Sequence, residues 1–160
     1  MRTTTTIAMP TLVKVFIENE AGSYTKNLHD EQALTLLGSV RVSRPYPFPY
    51  GFVLDTVNAD GDNLDCFVLT SERLLRGSIV ECQVVGLMEQ TESGQQDDNV
   101  LAILPGESVV VDAALQHRLT GFVRHVFDHL PGRDVRAGRF LGEPDAVQRI
   151  AECRTARARS

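Results

Sequence analysis

Short runs of apolar and β-branched residues, separated by glycine, proline and polar clusters, fill the first part of the sequence. Runs of this kind predict β-strands, and the clusters between them predict turns. Strands are therefore expected at residues 11–18, 33–42, 52–54, 66–70, 78–87 and 100–104. Several short strands at this spacing are typical of a closed or nearly closed β-barrel.

The pattern changes in the C-terminal part of the sequence. From Leu115 to Leu130, apolar residues recur at spacings of three and four, which predicts an amphipathic helix. Asp112 is its expected N-cap and Pro131 its expected stop. A shorter helix is predicted from about Asp145 to Arg157. Its inward-facing residues are expected to be Val147, Ile150 and Ala151. Strands followed by helices, with no repeat or linker, predict one α+β domain over residues 1–160.

Charge and composition narrow the classes of partner. The net charge of −5 argues against nucleic acid or an anionic membrane, because both select for basic surfaces. The sequence has no signal-peptide pattern and no apolar run of the roughly 20 residues that span a bilayer, so a cytoplasmic location is expected. Its three cysteines are scattered without a CxxC pair, which predicts reduced thiols.

The segment DTVNADGDNLD, residues 55–65, concentrates four carboxylates in a turn that leads into an apolar strand. Such a concentration of like charge is unfavourable unless a cation neutralises it, and all-oxygen ligation suits Mg²⁺ or Mn²⁺. An EF-hand is excluded, because a loop that starts at Asp60 would have Asp65 where that motif needs glycine. A solvated acidic turn without a metal stays open as the alternative.

The aspartates belong to a longer stretch, YPFPYGFVLDTVNADGDNLDCFVLT, which resembles the centre of the soluble family I inorganic pyrophosphatases. That family has a YPxNYG segment followed by a strand and a DGDPxDxxVL signature. The resemblance extends to VFIE, GSIVECQVVGLMEQ, DDNVLAILP and FDH elsewhere in the chain. It implies a five-stranded, OB-like closed β-barrel with two C-terminal helices, and an active site at the barrel mouth.

The resemblance also implies a Mg²⁺ site, with Mn²⁺ as the alternative cation, and a role for each matching residue. Asp62 matches the aspartate that deprotonates the attacking water. Tyr46 and Tyr50 match two tyrosines of the site, the first expected in substrate binding and the second in catalysis. The matches to metal-binding carboxylates are Asp60, Asp65, Asp98 and Glu18, together with either Glu92 or Asp97 as a further acidic ligand.

The basic shell that surrounds the phosphates departs from the family pattern. Lys26 lies close to the position of the family's first lysine and is expected to replace it. Arg41 and Arg44 are displaced candidates for an arginine that would fall near Gly38. Near residue 99 a family lysine is missing, and Leu130 and Pro131 replace a tyrosine and lysine. The candidates for that last position are Arg133, Arg136 and Arg139. Because charge-assisted contacts to phosphate contribute roughly 1.5 to 3 kcal/mol each, these losses predict weaker binding of pyrophosphate.

Three functions remain open on the sequence. The first is Mg²⁺-dependent hydrolysis of pyrophosphate, and the second is action on a different phosphate-containing or anionic metabolite. The third is a non-catalytic binding subunit, since a fold alone does not fix a function. The partners expected are a small phosphate-containing substrate and, by the resemblance, further copies of the chain in a trimer or hexamer.

Overall fold

The computed structural model describes residues 9–58 and 61–154, which form nine strands and two helices. The strands are β1 (Leu12–Asn19), β2 (Thr25–Asp30), β3 (Thr35–Arg41), β4 (Tyr50–Val53), β5 (Leu64–Val68), β6 (Ile79–Glu92), β7 (Gln95–Gln96), β8 (Asn99–Ile103) and β9 (Val135–Gly142). The helices are α1 (Ala113–His125) and α2 (Glu143–Cys153).

Five of the strands close into a barrel in the order β1-β4-β5-β8-β6, with β6 pairing back to β1. Only the β5–β8 pair in this ring is parallel. The close approach of β1 and β4 depends on Gly51, because a Cβ there would lie 1.7 Å from the carbonyl oxygen of Phe16. The predicted five-stranded closed barrel of an α+β domain is confirmed.

Two additions to the barrel were not predicted. Strands β2 and β3 form a separate hairpin, so the predicted strand at 33–42 lies outside the barrel. Strand β9 extends the sheet by pairing with β6. Neither β2 (TKNLHD) nor β9 (VRAGRFLG) has the regular alternation of apolar residues that marks a strand in sequence. Each adopts the extended conformation through hydrogen bonds to a neighbouring strand, β2 to β3 and β9 to β6.

The helices begin close to their predicted starts but end earlier. Asp112 caps α1 by accepting a hydrogen bond from the backbone N–H of Leu115 at 2.9 Å, as predicted. The α-helix ends at His125 and the chain continues in turns, so its predicted extension to Leu130 is wrong. No helix in the described ranges is long and apolar enough to cross a membrane.

The inward face of α2 differs from the predicted one. Ile150 is buried as expected, but Ala151 is exposed and Val147 is only partly buried. Ala146 and Cys153 complete the buried face instead. The helix begins two residues earlier than predicted, with Pro144 in its first turn, where proline is well tolerated.

The core has two layers that meet at the barrel wall. One cluster joins alternate side chains of the barrel strands to α2, and the other joins the opposite faces of those strands to α1. All three cysteines are buried and form no disulfide, in agreement with the predicted reduced thiols. Burial raises the pKa of the Cys82 thiol to about 12, so it stays protonated at neutral pH.

Candidate active site

A cleft of about 310 Å³ lies beside the second core cluster, where the hairpin and the end of α1 approach the barrel. Six carboxylates line it, together with two tyrosines, a lysine, an arginine and an apolar surface. The carboxylates are Glu18, Glu31, Asp62, Asp65, Glu92 and Asp97. Barrel strands or their connections carry all of these except Glu31, so elements distant in sequence converge here.

The loop between β4 and β5 is held by its own hydrogen bonds. The backbone N–H of Asn58 donates to the carbonyl of Asp62 at 2.7 Å, and the N–H of Gly61 donates back to Asn58 at 3.0 Å. Gly61 has φ +88°, a conformation that favours glycine. At the end of the loop, the Thr56 hydroxyl accepts from the N–H of Leu64 at 2.9 Å. This turn brings the Asp62 side chain to the cleft.

The predicted aspartates of this loop have different environments. Asp62 is exposed at the edge of the cleft, whereas Asp65 lies on β5 and points into it. Asp60 lies outside the described residues. The sequence pattern therefore located two cleft residues three positions apart, one on the loop and one on the strand that follows.

Asp65 and Asp97 form an acidic pair in the cleft. Burial, and next the adjacent Asp97 carboxylate, raise the pKa of Asp65 well above its ordinary value, although Lys26 acts in the opposite direction. The two carboxyl groups are hydrogen-bonded to each other, so they share a proton when no cation neutralises them. This is the electrostatic situation that a divalent cation relieves.

The two adjacent aspartates before β8 differ in position. The Asp97 side chain lines the cleft, as that of Glu92 does, so both candidates for the further acidic ligand are present there. The Asp97 carboxylate accepts a hydrogen bond from the amide of Gln90 at 3.3 Å. The expectation that Asp98 belongs to the metal cluster is wrong in position: its carboxylate is buried on the other side and contacts Arg149 at 3.3 Å. Successive residues in extended chain point in opposite directions, so only one of the two reaches the cleft.

Glu18 and Glu92 both line the cleft, as their assignment as ligands requires. Glu18 is buried and lies 3.1 Å from Nδ1 of His29, a partner that the sequence did not indicate. Burial raises the pKa of Glu18, although Lys26 and His29 oppose the shift. Glu92, at the end of β6, forms an ion pair with Arg133 at 2.6 Å.

Tyr46, Tyr50 and Lys26 lie together in the cleft. The two tyrosine rings are 5.4 Å apart, and the ammonium of Lys26 is 5.3 Å from the Tyr50 ring centroid. Burial, and next Asp65, raise the pKa of Tyr50 well above its ordinary value, so its hydroxyl stays protonated. Burial alone would lower the pKa of Lys26, but Tyr46 and nearby carboxylates outweigh it and raise that pKa. Lys26 is therefore a cation at neutral pH.

The other predicted basic residues are elsewhere. Arg41 and Arg44 are both exposed, and neither lines the cleft. The guanidinium of Arg41 lies over the ring of Tyr24 at 5.8 Å, while Arg44 lines a separate depression near Arg118. The prediction that Arg41 and Arg44 bind the substrate is therefore wrong for this cleft, because the end of β3 and the turn after it direct both side chains away from it.

Arg133 is the arginine of the C-terminal part that reaches the cleft. Its guanidinium lies 4.1 Å from the ring centroid of Phe127, in addition to its ion pair with Glu92. Arg136 and Arg139 instead pair with Asp134 and Glu89 at the surface. All three were candidates on the sequence, and the turn after α1 places only Arg133 of the three at the cleft.

Glu31 is a cleft residue that the sequence did not single out. It lies in the turn of the β2–β3 hairpin, and its carboxylate accepts a 2.6 Å hydrogen bond from the backbone N–H of Asn63. The Asn63 side chain also donates to the carbonyl of Val53 at 3.1 Å. Asn63 occupies the position of the signature's proline, which has no N–H, so this link to the hairpin depends on the departure from the family pattern.

The cleft also has an apolar surface, most of which comes from outside the barrel. We call it the outer wall, in contrast to the acidic wall formed by Glu18, Asp62, Asp65, Glu92 and Asp97. The outer wall consists of Leu28, Phe122, Val123, Val126, Phe127 and Val135. Its members belong to β2, to α1 and the turns after it, and to β9.

The donor set of the acidic wall fits a hard divalent cation, because carboxylate oxygens are the ligands that Mg²⁺ and Mn²⁺ prefer. Within residues 9–58 and 61–154, no three His, Cys, Asp or Glu side chains stand close enough together to hold an ion. The hydrogen-bonded Asp65–Asp97 pair nevertheless offers oxygens from two chain segments.

Comparisons with known proteins bear on this cleft. Residues 13–156 match the family model described as inorganic pyrophosphatase. The inorganic pyrophosphatase of Thermoplasma volcanium is 30% identical, with 96% of this chain and 98% of that protein covered. That of Geobacillus stearothermophilus is also 30% identical, over 89% of this chain and 92% of that protein. The structure of the Thermus thermophilus inorganic pyrophosphatase has a TM-score of 0.82 at 25% identity, covering 93% and 92% of the two chains.

Proposed function

Because the chain belongs to the inorganic pyrophosphatase family, whose members are generally metal-dependent, we propose that it hydrolyses pyrophosphate to two phosphates with Mg²⁺. The observation that carries the proposal is the acidic wall, where carboxylates from three barrel strands and the loop before β5 meet beside a charged lysine. Mn²⁺ has the same preference for oxygen ligands and is the alternative cation.

The acidic wall would hold the cations through Asp65, Asp97, Glu18 and Glu92. When bound, a pair of divalent cations acidifies the attacking water and neutralises charge on the leaving phosphate. Asp60, which lies outside the described residues, stays a proposed ligand on the resemblance alone. Asp97 replaces Asp98 in this assignment, because its side chain lines the cleft.

Asp62 is proposed as the general base. Its exposed position at the edge of the cleft leaves its carboxylate accessible to water, and the short loop hydrogen bonds limit its movement. A base must reach the proton that it removes in a fixed geometry. The proton would pass from the attacking water to a carboxylate oxygen of Asp62 as the water oxygen bonds to phosphorus. The bond from that phosphorus to the bridging oxygen breaks in the same displacement, and the bridging oxygen leaves with the second phosphate.

Lys26, Arg133 and the two tyrosines are proposed to bind the phosphates. Lys26 supplies a positive charge within the cleft, and the protonated hydroxyl of Tyr50 supplies a hydrogen-bond donor. Arg133 would have to exchange part of its ion pair with Glu92 for phosphate oxygens or hold both at once. The guanidinium fork suits simultaneous contacts of this kind.

The test is phosphate release from pyrophosphate by purified protein with Mg²⁺, compared with the Asp62→Asn variant. Loss of a general base is expected to lower kcat about 10²–10⁴-fold. Asp55→Asn is the matched control: it is an exposed aspartate of the same loop, and asparagine tolerates its φ of 60°. Activity of Asp62→Asn equal to that of the Asp55→Asn control would contradict the role of Asp62.

The outer wall favours a second candidate, hydrolysis of an organic phosphate ester or diphosphate. The outer wall presents six apolar side chains to the cleft, whereas Lys26 and Arg133 are the only lysine or arginine side chains that line it among the described residues. A small inorganic anion gains nothing from an apolar surface, but an organic group would bury area there. The two candidates are distinguished by kcat/KM for pyrophosphate against a nucleoside diphosphate and a phosphomonoester. Leu28→Ala, which shortens an exposed side chain of the outer wall, is expected to affect only the organic substrates.

A homo-oligomer, as trimer or hexamer, and a cytoplasmic location complete the proposal. Light scattering at micromolar concentration is expected to give a mass of at least three chains. A stable monomer would remove the oligomer from the proposal without affecting the assignment of the cleft. The compartment is tested by fractionation of the cells that make the protein.

A further inference from the structure

Arg149 bonds to two chain segments that carry residues of the acidic wall, without itself lining the cleft. It lies on α2 with its side chain only 14% exposed. Its guanidinium donates to Asn58 at 2.6 Å, to Asp98 at 3.3 Å and to the Cys153 sulfur at 3.2 Å. The guanidinium carries five N–H donors in a fixed planar fork that can reach acceptors on separate segments at once, a geometry that the single ammonium of lysine does not reproduce.

Asn58, the first partner, controls the turn that carries Asp62. Its N–H donates to the carbonyl of Asp62, and its own carbonyl accepts from Gly61. Asn58 is also buried, so its side chain is held at the base of the loop. The bond from Arg149 therefore fixes the residue around which the loop folds.

Asp98, the second partner, controls the position of Asp97. Its carboxylate accepts from the backbone N–H of Gln90 at 3.0 Å and from the Gln96 amide at 2.6 Å, in addition to Arg149. The next residue towards the N-terminus, Asp97, donates its backbone N–H to the carbonyl of Gln90 at 2.8 Å. With Asp98 anchored on one side of the chain, Asp97 is directed to the other.

We propose that Arg149 is a positioning residue that sets the spacing of the Asp62 loop relative to Asp97, and thereby the affinity of the acidic wall for divalent cations. The inference rests on the proposed function of the cleft. Residues behind the ligands typically change metal affinity 10–100-fold when they are replaced, because they orient the groups that bind the ion. A single guanidinium bonded to both segments provides that orientation here.

The test measures Mg²⁺ and Mn²⁺ binding by calorimetry without substrate, in wild type, Arg149→Met and Arg149→Lys. Arg149→Met is expected to weaken cation binding at least tenfold, and Arg149→Lys by an intermediate factor, since lysine retains the charge but not the fork. The matched control is Arg139→Met, which removes a surface arginine that pairs with Glu89 at 2.7 Å. Amide hydrogen exchange at Asn58 and Gly61 is expected to accelerate in the Arg149 variants alone.

Asn58→Ala keeps the Arg149–Asp98 pair and tests the same link if Arg149→Met does not fold. It is expected to weaken cation binding to a similar extent, and the double variant should lose less than the sum of the two single losses. Reduced stability with wild-type cation affinity in these variants would overturn the inference. Wild type that binds no cation would instead defeat the proposed function, and unchanged amide exchange in the variants would then still overturn the role of Arg149.

Discussion

The two walls of the cleft differ in how they are built. The acidic wall comes from barrel strands and short loops whose positions are fixed by ladders of backbone hydrogen bonds. The outer wall comes from a hairpin, the end of a helix and an added strand, all packed against the outside of the barrel. The proposed cation ligands thus lie on the barrel strands and their connections, whereas the apolar outer wall and two proposed phosphate ligands, Lys26 and Arg133, lie on the attachments. Substrate preference can therefore change without loss of the cation site.

The largest effect is expected from breaking the barrel itself. Gly51→Ala would place a methyl group 1.7 Å from the Phe16 carbonyl oxygen and force β1 and β4 apart. We expect a loss of roughly 3 kcal/mol or more in the free energy of unfolding, measured by urea denaturation. Gly38→Ala in the hairpin has no atom within 4 Å of the added carbon and is expected to be nearly neutral. Equal losses in the free energy of unfolding would show that the barrel is no more sensitive to an added methyl group than the hairpin.

The neighbouring aspartates Asp97 and Asp98 should differ in their effect on stability. Asp98→Asn removes the charge that pairs with Arg149 in a buried site and is expected to lower the free energy of unfolding by roughly 3 kcal/mol. Asp97→Asn removes one of two adjacent carboxylates, so it should leave the cation-free protein at least as stable while weakening Mg²⁺ binding. Calorimetry measures the Mg²⁺ affinity of both variants, and urea denaturation measures their stability. If Asp98→Asn weakens Mg²⁺ binding without loss of stability while Asp97→Asn lowers stability alone, Asp98 is the ligand.

Next to the outer wall, where Arg133 contacts Phe127, replacement of Arg133 should affect substrate binding more than binding of the divalent cation. Among the described residues, Lys26 and Arg133 are the two positively charged side chains that line the cleft. Arg133→Met removes one of them and is expected to raise KM for pyrophosphate about tenfold, with a smaller change in kcat. Arg136→Met is the control, because Arg136 pairs with Asp134 at the surface. Steady-state kinetics measure both. If Arg133→Met alters Mg²⁺ affinity without changing KM, Arg133 serves the acidic wall instead.

The smallest expected effect is a difference in thiol reactivity between barrel and attachment. Burial raises the pKa of Cys66 and Cys82, both in barrel strands, and only the thiolate reacts. A thiol reagent at pH 8 should label Cys153, at the end of α2, before the other two, since helix ends fray. Rapid labelling of Cys66 in the folded protein would show that the barrel opens more easily than its hydrogen bonding indicates.

The acidic wall could be predicted in part from strand patterns and in part from the family resemblance. Asp65 precedes an apolar run, which places it at the mouth of a strand, whereas Glu18 was assigned through the resemblance alone. The error at Asp98 came from the alternation of adjacent side chains, where a shift of one residue reverses the direction. Sequence alone does not reveal which of two neighbouring aspartates faces Arg149.

The cleft residues that come from outside the barrel were harder to predict, because long-range packing determines where their side chains lie. The contact of His29 with Glu18 joins a hairpin to the barrel, and nothing near His29 in the sequence indicates it. Arg133 reaches the cleft because α1 ends at His125 and the chain turns back before β9, neither of which the apolar spacing predicted. Arg41 and Arg44 failed as candidates for the same reason, since the orientation of the hairpin directs them outward.

Metal-dependent phosphate release from pyrophosphate tests the central claim most directly. Protein freed of cations with a chelator is titrated with Mg²⁺, and release of phosphate is followed beside the Asp62→Asn variant. We predict release that rises with Mg²⁺ to saturation, is restored by Mn²⁺ and is nearly abolished in the variant. Release at the background rate at every concentration of either cation would contradict pyrophosphate hydrolysis by this cleft.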